Sequence, residues 1–429
     1  MRRRFINWAR TVRSEPVVWV RPGSEGEVVD AVRRSVAAGT RLRPVGSAHS
    51  WSRIALPAEA ALRLDRLTGI VSVDREASTV TCWGGTTLSS LTRELAAYGL
   101  SLPILGSIDA QTVAGAIGTA THGSSLVHGN LSSLVRGLRL VTGQGEILAI
   151  DGEDPRLDAA RVHLGALGVV TQVTLQVVPR LRLREERRRV SFADAIANLE
   201  EIARAAPYVR VWWLPHTDGA WVTTWRPTSD PEGGYALSRA ADLVAQNTAF
   251  PAMLRLGGVF PRVVPAVQAF TDRYVFRPHT AVGPVEKVLT MPMPVRHDET
   301  ETAVPLEAAA DVLRALRRRR EGLTVDFVME IRFVAPDSGW MSPTQGSEVC
   351  QIGAYAARSP DAGRWFAALH DVAEEAGGRP HWGKRWGVPA RRIADRYPRL
   401  AEFAALASEL DPGGIFCSDA MEGLLREGH

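Results

Sequence analysis

Gly106-Ser107-Ile108-Asp109-Ala110-Gln111-Thr112-Val113-Ala114-Gly115-Ala116-Ile117-Gly118-Thr119-Ala120-Thr121-His122-Gly123-Ser124-Ser125 is built almost wholly from small residues, and Asp109 is its one charged side chain. Such a run offers many backbone N–H groups and the hydroxyls of Thr112 and Thr121, with no bulky side chain in the way. That suits an extended ligand lying along the backbone. A close-packed glycine-rich core loop is the other reading, and the segment alone does not separate the two.

Working outward toward the N-terminus, Gly46-Ser47-Ala48-His49-Ser50 is a second small-residue turn, placed directly after a strand-like Arg41 to Val45. Its successive N–H groups could form an anion nest. Upstream, Ser24 and Glu27 make a capping box for a helix ending at Gly39. Between the two turns lie strand patterns at Ala61 to Leu64, Ile70 to Val73 and Thr79 to Trp83, then a helix from Leu88 to Tyr98 closed by Gly99. Toward the C-terminus, strands are expected at Leu138 to Thr142, Ile147 to Ile150 and Val169 to Val178. Arg180 to Arg189, with six arginines and two glutamates, reads as a solvated linker or edge. Beyond it the pattern gives a helix over Phe192 to Ala205, strands over Tyr208 to Trp213 and Trp221 to Trp225, a helix over Leu306 to Arg320, a strand over Val325 to Val334 and a helix over Trp365 to Ala376. Pro227 to Val282 shows no clear period. The class is α+β.

A chain of 429 residues suggests two or three domains, and 45% hydrophobic with 23% charged residues excludes a disordered or collagen-like polymer. No stretch of 18 apolar residues occurs, so no integral membrane segment is expected and a soluble, cytoplasmic protein is. Cys82, Cys350 and Cys417 are too scattered for a disulfide framework or a structural zinc site. A net charge of +4 is thin for a nucleic-acid partner. Of the 51 basic residues only Lys287 and Lys384 are lysine, so a surviving lysine could be kept for its compact charge or its proton. No GxGxxG after a strand, GxxxxGK[ST], HExxH or GxSxG is present, and His122 and His128 are weak evidence for a metal, so none is assigned.

Taken in series, Pro44-Val45-Gly46-Ser47-Ala48-His49-Ser50-Trp51, the Gly106 to Ser125 stretch, Met329-Glu330-Ile331-Arg332-Phe333, Trp340-Met341-Ser342-Pro343, Gly378-Arg379-Pro380-His381-Trp382-Gly383-Lys384 and Asp411-Pro412 occur in one order. This order resembles the FAD-linked sugar-1,4-lactone and alditol oxidases of the vanillyl-alcohol oxidase (PCMH-type) flavoprotein family, from Asn7-Trp8 to Phe416. The resemblance implies a two-subdomain FAD-binding domain at 1–179. It also implies a substrate (cap) domain of antiparallel sheet flanked by helices at 180–378, and a segment returning to the flavin at 379–429. His49 matches the histidine bonded to flavin, with Ala48 where the family usually has glycine. Cofactor contacts are implied for Val45, Gly46, Ser47, Ala48, His49, Ser50, Gly106, Ser107, Thr112, Gly115, Gly118, Thr119, Thr121, His122, Gly123, Val169 and Val170.

The resemblance makes Ser107, Glu330, Arg332 and Lys384 the catalytic set and adds Tyr355 to the substrate contacts. Arg332 would stabilise negative charge on reduced flavin, Glu330 would bind a substrate hydroxyl, and Lys384 would polarise the reacting one. Glu330 and Arg332 alternate on a strand and so share a face. Gly106 stands where the family's plant dehydrogenases carry alanine, which implies access for O2. The implied activity is oxidation of a CH–OH group of a sugar lactone, polyol or related alcohol with O2 reduced to H2O2. The alternatives are a dehydrogenase serving a quinone or cytochrome, and a non-catalytic binding protein. Three departures concern the donor. The polyol oxidases' His-x-Thr reads Gly353-Ala354-Tyr355, Trp386 replaces a histidine often found after HWGK, and the closing F-x-N-x-Y reads Phe416-Cys417-Ser418-Asp419-Ala420. With Trp212, Trp213, Trp221 and Trp225 nearby in sequence, they leave room for a bulkier or less polar alcohol.

Overall fold

The structure is a computed structural model that describes residues 2–235, 239, 248, 250–291 and 293–427. Three principal sheets organise the described residues. The first has four strands in the order Arg2–Ile6, Arg13–Val20, Ala60–Leu62, Leu42–Pro44, and the last three run parallel. Its helix, Glu25–Ala38, starts as the capping box predicts: the Glu27 N–H donates to Ser24 Oγ, and Glu27 reaches back to accept from the Gly23 N–H. It stops at Gly39, whose φ of 60° is cheap only for a residue without a side chain.

The second sheet is antiparallel, in the order Ile70–Asp74, Thr79–Trp83, Val169–Gln176, Val135–Val141, Ile147–Ile150. The glycine-rich run lies against it. Val113–Ile117 is a single helical turn capped by Thr112, and a Cβ on Gly84 would fall 2.4 Å from the Val170 carbonyl oxygen. Glycine is required there by close approach.

The third sheet has eight antiparallel strands, in the order His279–Pro284, Arg182–Ser191, Gly219–Pro227, Tyr208–Trp213, Met329–Val334, Val349–Ala356, Asp298–Pro305, Arg379–Pro380. Helices Phe192–Ala197, Leu199–Arg204, Ala309–Arg319 and Ala362–Glu375 share a core with one face, on Val209, Val211, Trp213, Ile331, Phe333, Cys350 and Ile352. The expected helix over 192–205 is thus two short helices broken at Asn198, and the strand expected over 325–334 begins at Met329.

One expectation is overturned. Arg180 to Arg189 is no solvated linker: Arg182–Ser191 is an inner strand paired on both sides. Charge density misled because the strand sorts its charges by period two, burying Leu183, Glu185 and Arg187 while Glu186 and Arg188 face water. Glu185 is afforded burial by the Trp225 indole N–H at 2.8 Å and His279 Nε2 at 2.8 Å. These and Arg187 hold it down to about 2 against the opposing effect of burial, the largest single influence.

Candidate functional site

Three chain segments far apart in sequence are tied together at the end of the Pro44 to Trp51 turn. The Trp8 N–H donates to the Ala48 carbonyl at 2.8 Å, Asn7 Nδ2 to the Ser50 carbonyl at 3.1 Å, and the Trp51 N–H to the Gly383 carbonyl at 2.8 Å. His49 is thereby held half-buried and stacked on Trp8, ring centroids 5.7 Å apart. Burial lowers its pKa, with a smaller contribution from Lys384. Lys384 Nζ lies 4.8 Å from the Trp51 ring centroid, a cation–π contact joining the first motif to the last.

The turn opens on a cavity of about 610 Å³. The face of the eight-stranded sheet turned away from its helices supplies one wall. Strand alternation puts Arg210 and Trp212, Glu330 and Arg332, Tyr355, and Glu299 on it. Glu301 lies behind Arg332, fully buried. Arg332 Nη2 donates to Glu301 Oε1 at 2.8 Å, and its Nε is 3.4 Å from Glu330 Oε2. Lys384 Nζ is 2.5 Å from Glu299 Oε1 and 3.9 Å from Glu301 Oε2. Glu330 also accepts from Tyr355 Oη at 2.8 Å, Trp212 Nε1 at 3.2 Å and Arg210 Nη1 at 3.4 Å.

Three buried carboxylates are thus matched by three cations. Burial opposes the ionised form of each carboxylate, but the cations outweigh it. Glu301 is held well below the usual range by Arg332, His122 and Lys384, Glu299 below it by Lys384 and His297, and Glu330 by Arg332 and Arg210. Arg332 stays charged despite burial because Glu301 and Glu330 flank it. Tyr355 is pushed well up, by burial first and then by Glu299 and Glu330, so its phenol remains a donor. At His381 burial wins over the opposing pull of Glu301 and drives it down to about 3.

Of the residues singled out in the sequence, His49, Ser50, Gly106, Ser107, Thr121, His122, Glu330, Arg332, Tyr355 and Lys384 line this one cavity. Val45, Gly46, Ser47, Ala48, Thr112, Gly115, Gly118, Thr119, Gly123, Val169 and Val170 do not; the last two are buried in the five-stranded sheet. The tryptophan reading is corrected in part. Only Trp212 faces the cavity, while Trp213 is in the helix-side core, Trp221 donates to Asp272 and Trp225 to Glu185. Lys287 is exposed, as expected of a surface lysine. Residues not found from the sequence are Glu299, Glu301, Arg210 and His381. The first two carry a legible signal, a carboxylate at alternate positions of the β-prone run His297-Asp298-Glu299-Thr300-Glu301.

His122, Glu301 and His381 bring one donor atom each within 4.8 Å of one another, the spacing of a metal cluster. Arg332 already neutralises Glu301, so we assign no ion to it. The arrangement does fit a flavin. Gly106 and Ser107 give the cavity a wall without bulky side chains, and Arg332 and Lys384 line the same cavity. Such a lining admits a flat ligand close to the backbone, with two cations within the cavity.

Residues 173–424 match the family model described as D-arabinono-1,4-lactone oxidase, and residues 16–151 match an FAD binding domain. The chain is 33% identical to L-gulono-1,4-lactone dehydrogenase of Mycobacterium tuberculosis, over 97% of both chains. It is 31% identical to alditol oxidase of a Streptomyces species, over 98% of both. In fold it is similar to a cholesterol oxidase from B. sterolicum, with a TM-score of 0.85 at 18% identity, covering 99% of this chain and 97% of that one.

Proposed function

The chain belongs to the D-arabinono-1,4-lactone oxidase family of FAD-dependent oxidoreductases acting on CH–OH donors, and from that premise we propose that it is an oxidase with its FAD bonded to His49. The observation that carries this reading is the convergence of His49, Gly106, Ser107, Glu330, Arg332 and Lys384 on one cavity. The chemistry FAD would supply when bound is acceptance of the hydride from the carbinol carbon and return of the electron pair to O2, so that the products would be a carbonyl compound and H2O2.

The chain's own groups prepare that transfer. Lys384 has three N–H donors and is ion-paired with Glu299. Its ammonium would bind the carbinol oxygen and ease loss of its proton, with Ser107 lining the same cavity. Arg332, fixed by Glu301 and Glu330, supplies lasting positive charge where negative charge develops on reduction. The change from the five-stranded to the eight-stranded sheet between Gln176 and Arg182 supports a division into an FAD domain at 1–179 and a cap at 180–378, with 379–429 bringing Lys384 back. Three free cysteines suit a reducing, cytoplasmic setting.

Acid-precipitated protein should stay yellow, and His49→Ala should release its flavin; complete release from the parent overturns the covalent link. Gly106→Ala should slow reoxidation by O2 and leave anaerobic flavin reduction largely intact. The added methyl has only 3.0 Å to Thr121 Cγ2, so a small local shift will accompany it. Equal reoxidation rates in parent and variant would remove the basis for the oxidase assignment.

A further inference from the structure

Glu330 is occupied mainly by the chain itself. A carboxylate offers about four lone-pair sites; here Tyr355, Trp212 and Arg210 donate to three of them, and Arg332 is ion-paired with it. The carboxylate that could have held a substrate hydroxyl is instead held by the chain, with Tyr355 Oη at the shortest distance. Tyr355 can lie there because residue 353 is glycine. A Cβ on Gly353 would meet Tyr355 Cε2 at 3.2 Å and its hydroxyl at 3.3 Å, so even the smallest side chain at 353 would crowd the ring and make it shift slightly.

The same ring begins an apolar surface. Tyr355 stacks on Phe327 with centroids 5.5 Å apart, and Phe327 meets Phe250 edge-on at 4.9 Å beside Leu254. The other capping ring, Trp212, packs on Phe276 at 5.6 Å. Three of the polar groups on this side of the cavity are already engaged. Gln268 accepts from the His216 N–H and donates to the Val325 carbonyl, Thr271 donates to Val267, and Asp326 accepts the N–H groups of Ala357 and Arg358.

We infer that the donor is an alcohol with a single reacting hydroxyl on an apolar body, a cyclic or aryl secondary alcohol, and that Tyr355 over Gly353 sets this choice. The inference rests on the flavin-dependent alcohol oxidoreductase reading above. Lys384 and Ser107 serve one carbinol oxygen. The next carbons of the donor lie between Phe327, Leu254 and Phe276, where the extra hydroxyls of a polyol would be buried without partners.

The test is anaerobic stopped-flow flavin reduction by the full-length holoenzyme. Cyclohexanol, 4-tert-butylcyclohexanol and 1-phenylethanol are compared with xylitol and D-arabinono-1,4-lactone. The apolar set should win by at least ~10-fold in reduction rate over dissociation constant, rising about four-fold for each further buried methylene. Tyr355→Thr should shift the ratio toward xylitol by at least ~10-fold. Tyr355→Phe, which keeps the packing but frees Glu330, should shift it in the same direction by less. Calorimetric binding of 4-tert-butylcyclohexanone should show a negative heat-capacity change. Faster reduction by xylitol or the lactone, with a ratio unmoved in both variants, overturns the inference and leaves the oxidoreductase reading standing. If no alcohol of either kind reduces the flavin, that reading falls instead, and absence of ketone binding in the calorimeter overturns the inference as well.

Discussion

Val209, Val211 and Trp213 face the helices from the same strand that turns Arg210 and Trp212 into the cavity, and the strands Met329–Val334 and Val349–Ala356 repeat this split. Both faces are buried. One is an apolar core, where burial itself supplies the free energy. The other carries Glu299, Glu301, Glu330, Arg210, Arg332 and Lys384, whose desolvation must be offset by mutual attraction. An apolar wall of the same volume would serve stability as well or better, so the ionic face is maintained for what it does to a ligand. Perturbed groups gathered in a cavity carry the same message.

The contrast can be broken at either face. The largest effect is expected on the helix side. Trp213→Ala removes a fully buried indole packed 4.2 Å from Phe192 and should cost about 3–5 kcal/mol of stability. The rate of flavin reduction in the folded fraction should be nearly unchanged. Denaturant unfolding together with single-turnover kinetics checks both halves, and a large loss of rate would mean that the faces are not independent. Next, Lys384→Met should slow flavin reduction on the order of 10²-fold or more. The exposed Lys287→Met should leave it alone, and equal rates in parent and Lys384→Met would remove the lysine from the site.

Acid should separate the faces more gently. His381, held at about 3 against an ordinary 6.5, refuses a proton that the unfolded chain accepts, so stability is lost as pH falls from 6.5 toward 3. Glu299, Glu301 and Glu330 have folded pKa values below the ordinary 4.5. Their contribution is therefore complete above pH 4.5 and disappears as pH drops through the lower folded values. Melting temperature against pH should be shallower below 4.5 in Glu301→Gln, while Trp213→Ala should displace the whole curve without changing its shape. The smallest effect belongs to Thr302, on the helix side, whose buried hydroxyl has no partner. Thr302→Val should stabilise by about 1 kcal/mol, read as a slight rise in melting temperature.

Capping boxes, glycine stops and amphipathic periods are local, so the elements before Pro179 could be read closely from the residues. The cavity was legible where its residues sit in short motifs: His49 in its turn, Ser107 after Gly106, Lys384 after His381-Trp382-Gly383. Arg180 to Arg189 was misread because a run of charges looks solvated until something shows that alternate ones are paired across a sheet, as Glu185 is with His279 and Trp225. Glu299 and Glu301 escaped for a related reason. A carboxylate is recognisable as buried only through its cations, and Lys384 and Arg332 stand on other strands and loops, at separations that period and propensity do not reach.

The tie between Trp51 and Gly383 is one of several that bring the end of the chain back to its beginning; the Leu42 N–H donates to the Ile415 carbonyl at 2.7 Å, and Arg43 Nη1 to that of Phe416 at 2.6 Å. During synthesis these partners appear last. Until Lys384 is made, Glu299 lacks the ammonium that lies 2.5 Å from it in the finished protein. Contacts of such long sequence separation close slowly. The site is therefore assembled only after these late residues exist, and a ribosome stalled before codon 384 would hold a cap with no finished site to offer.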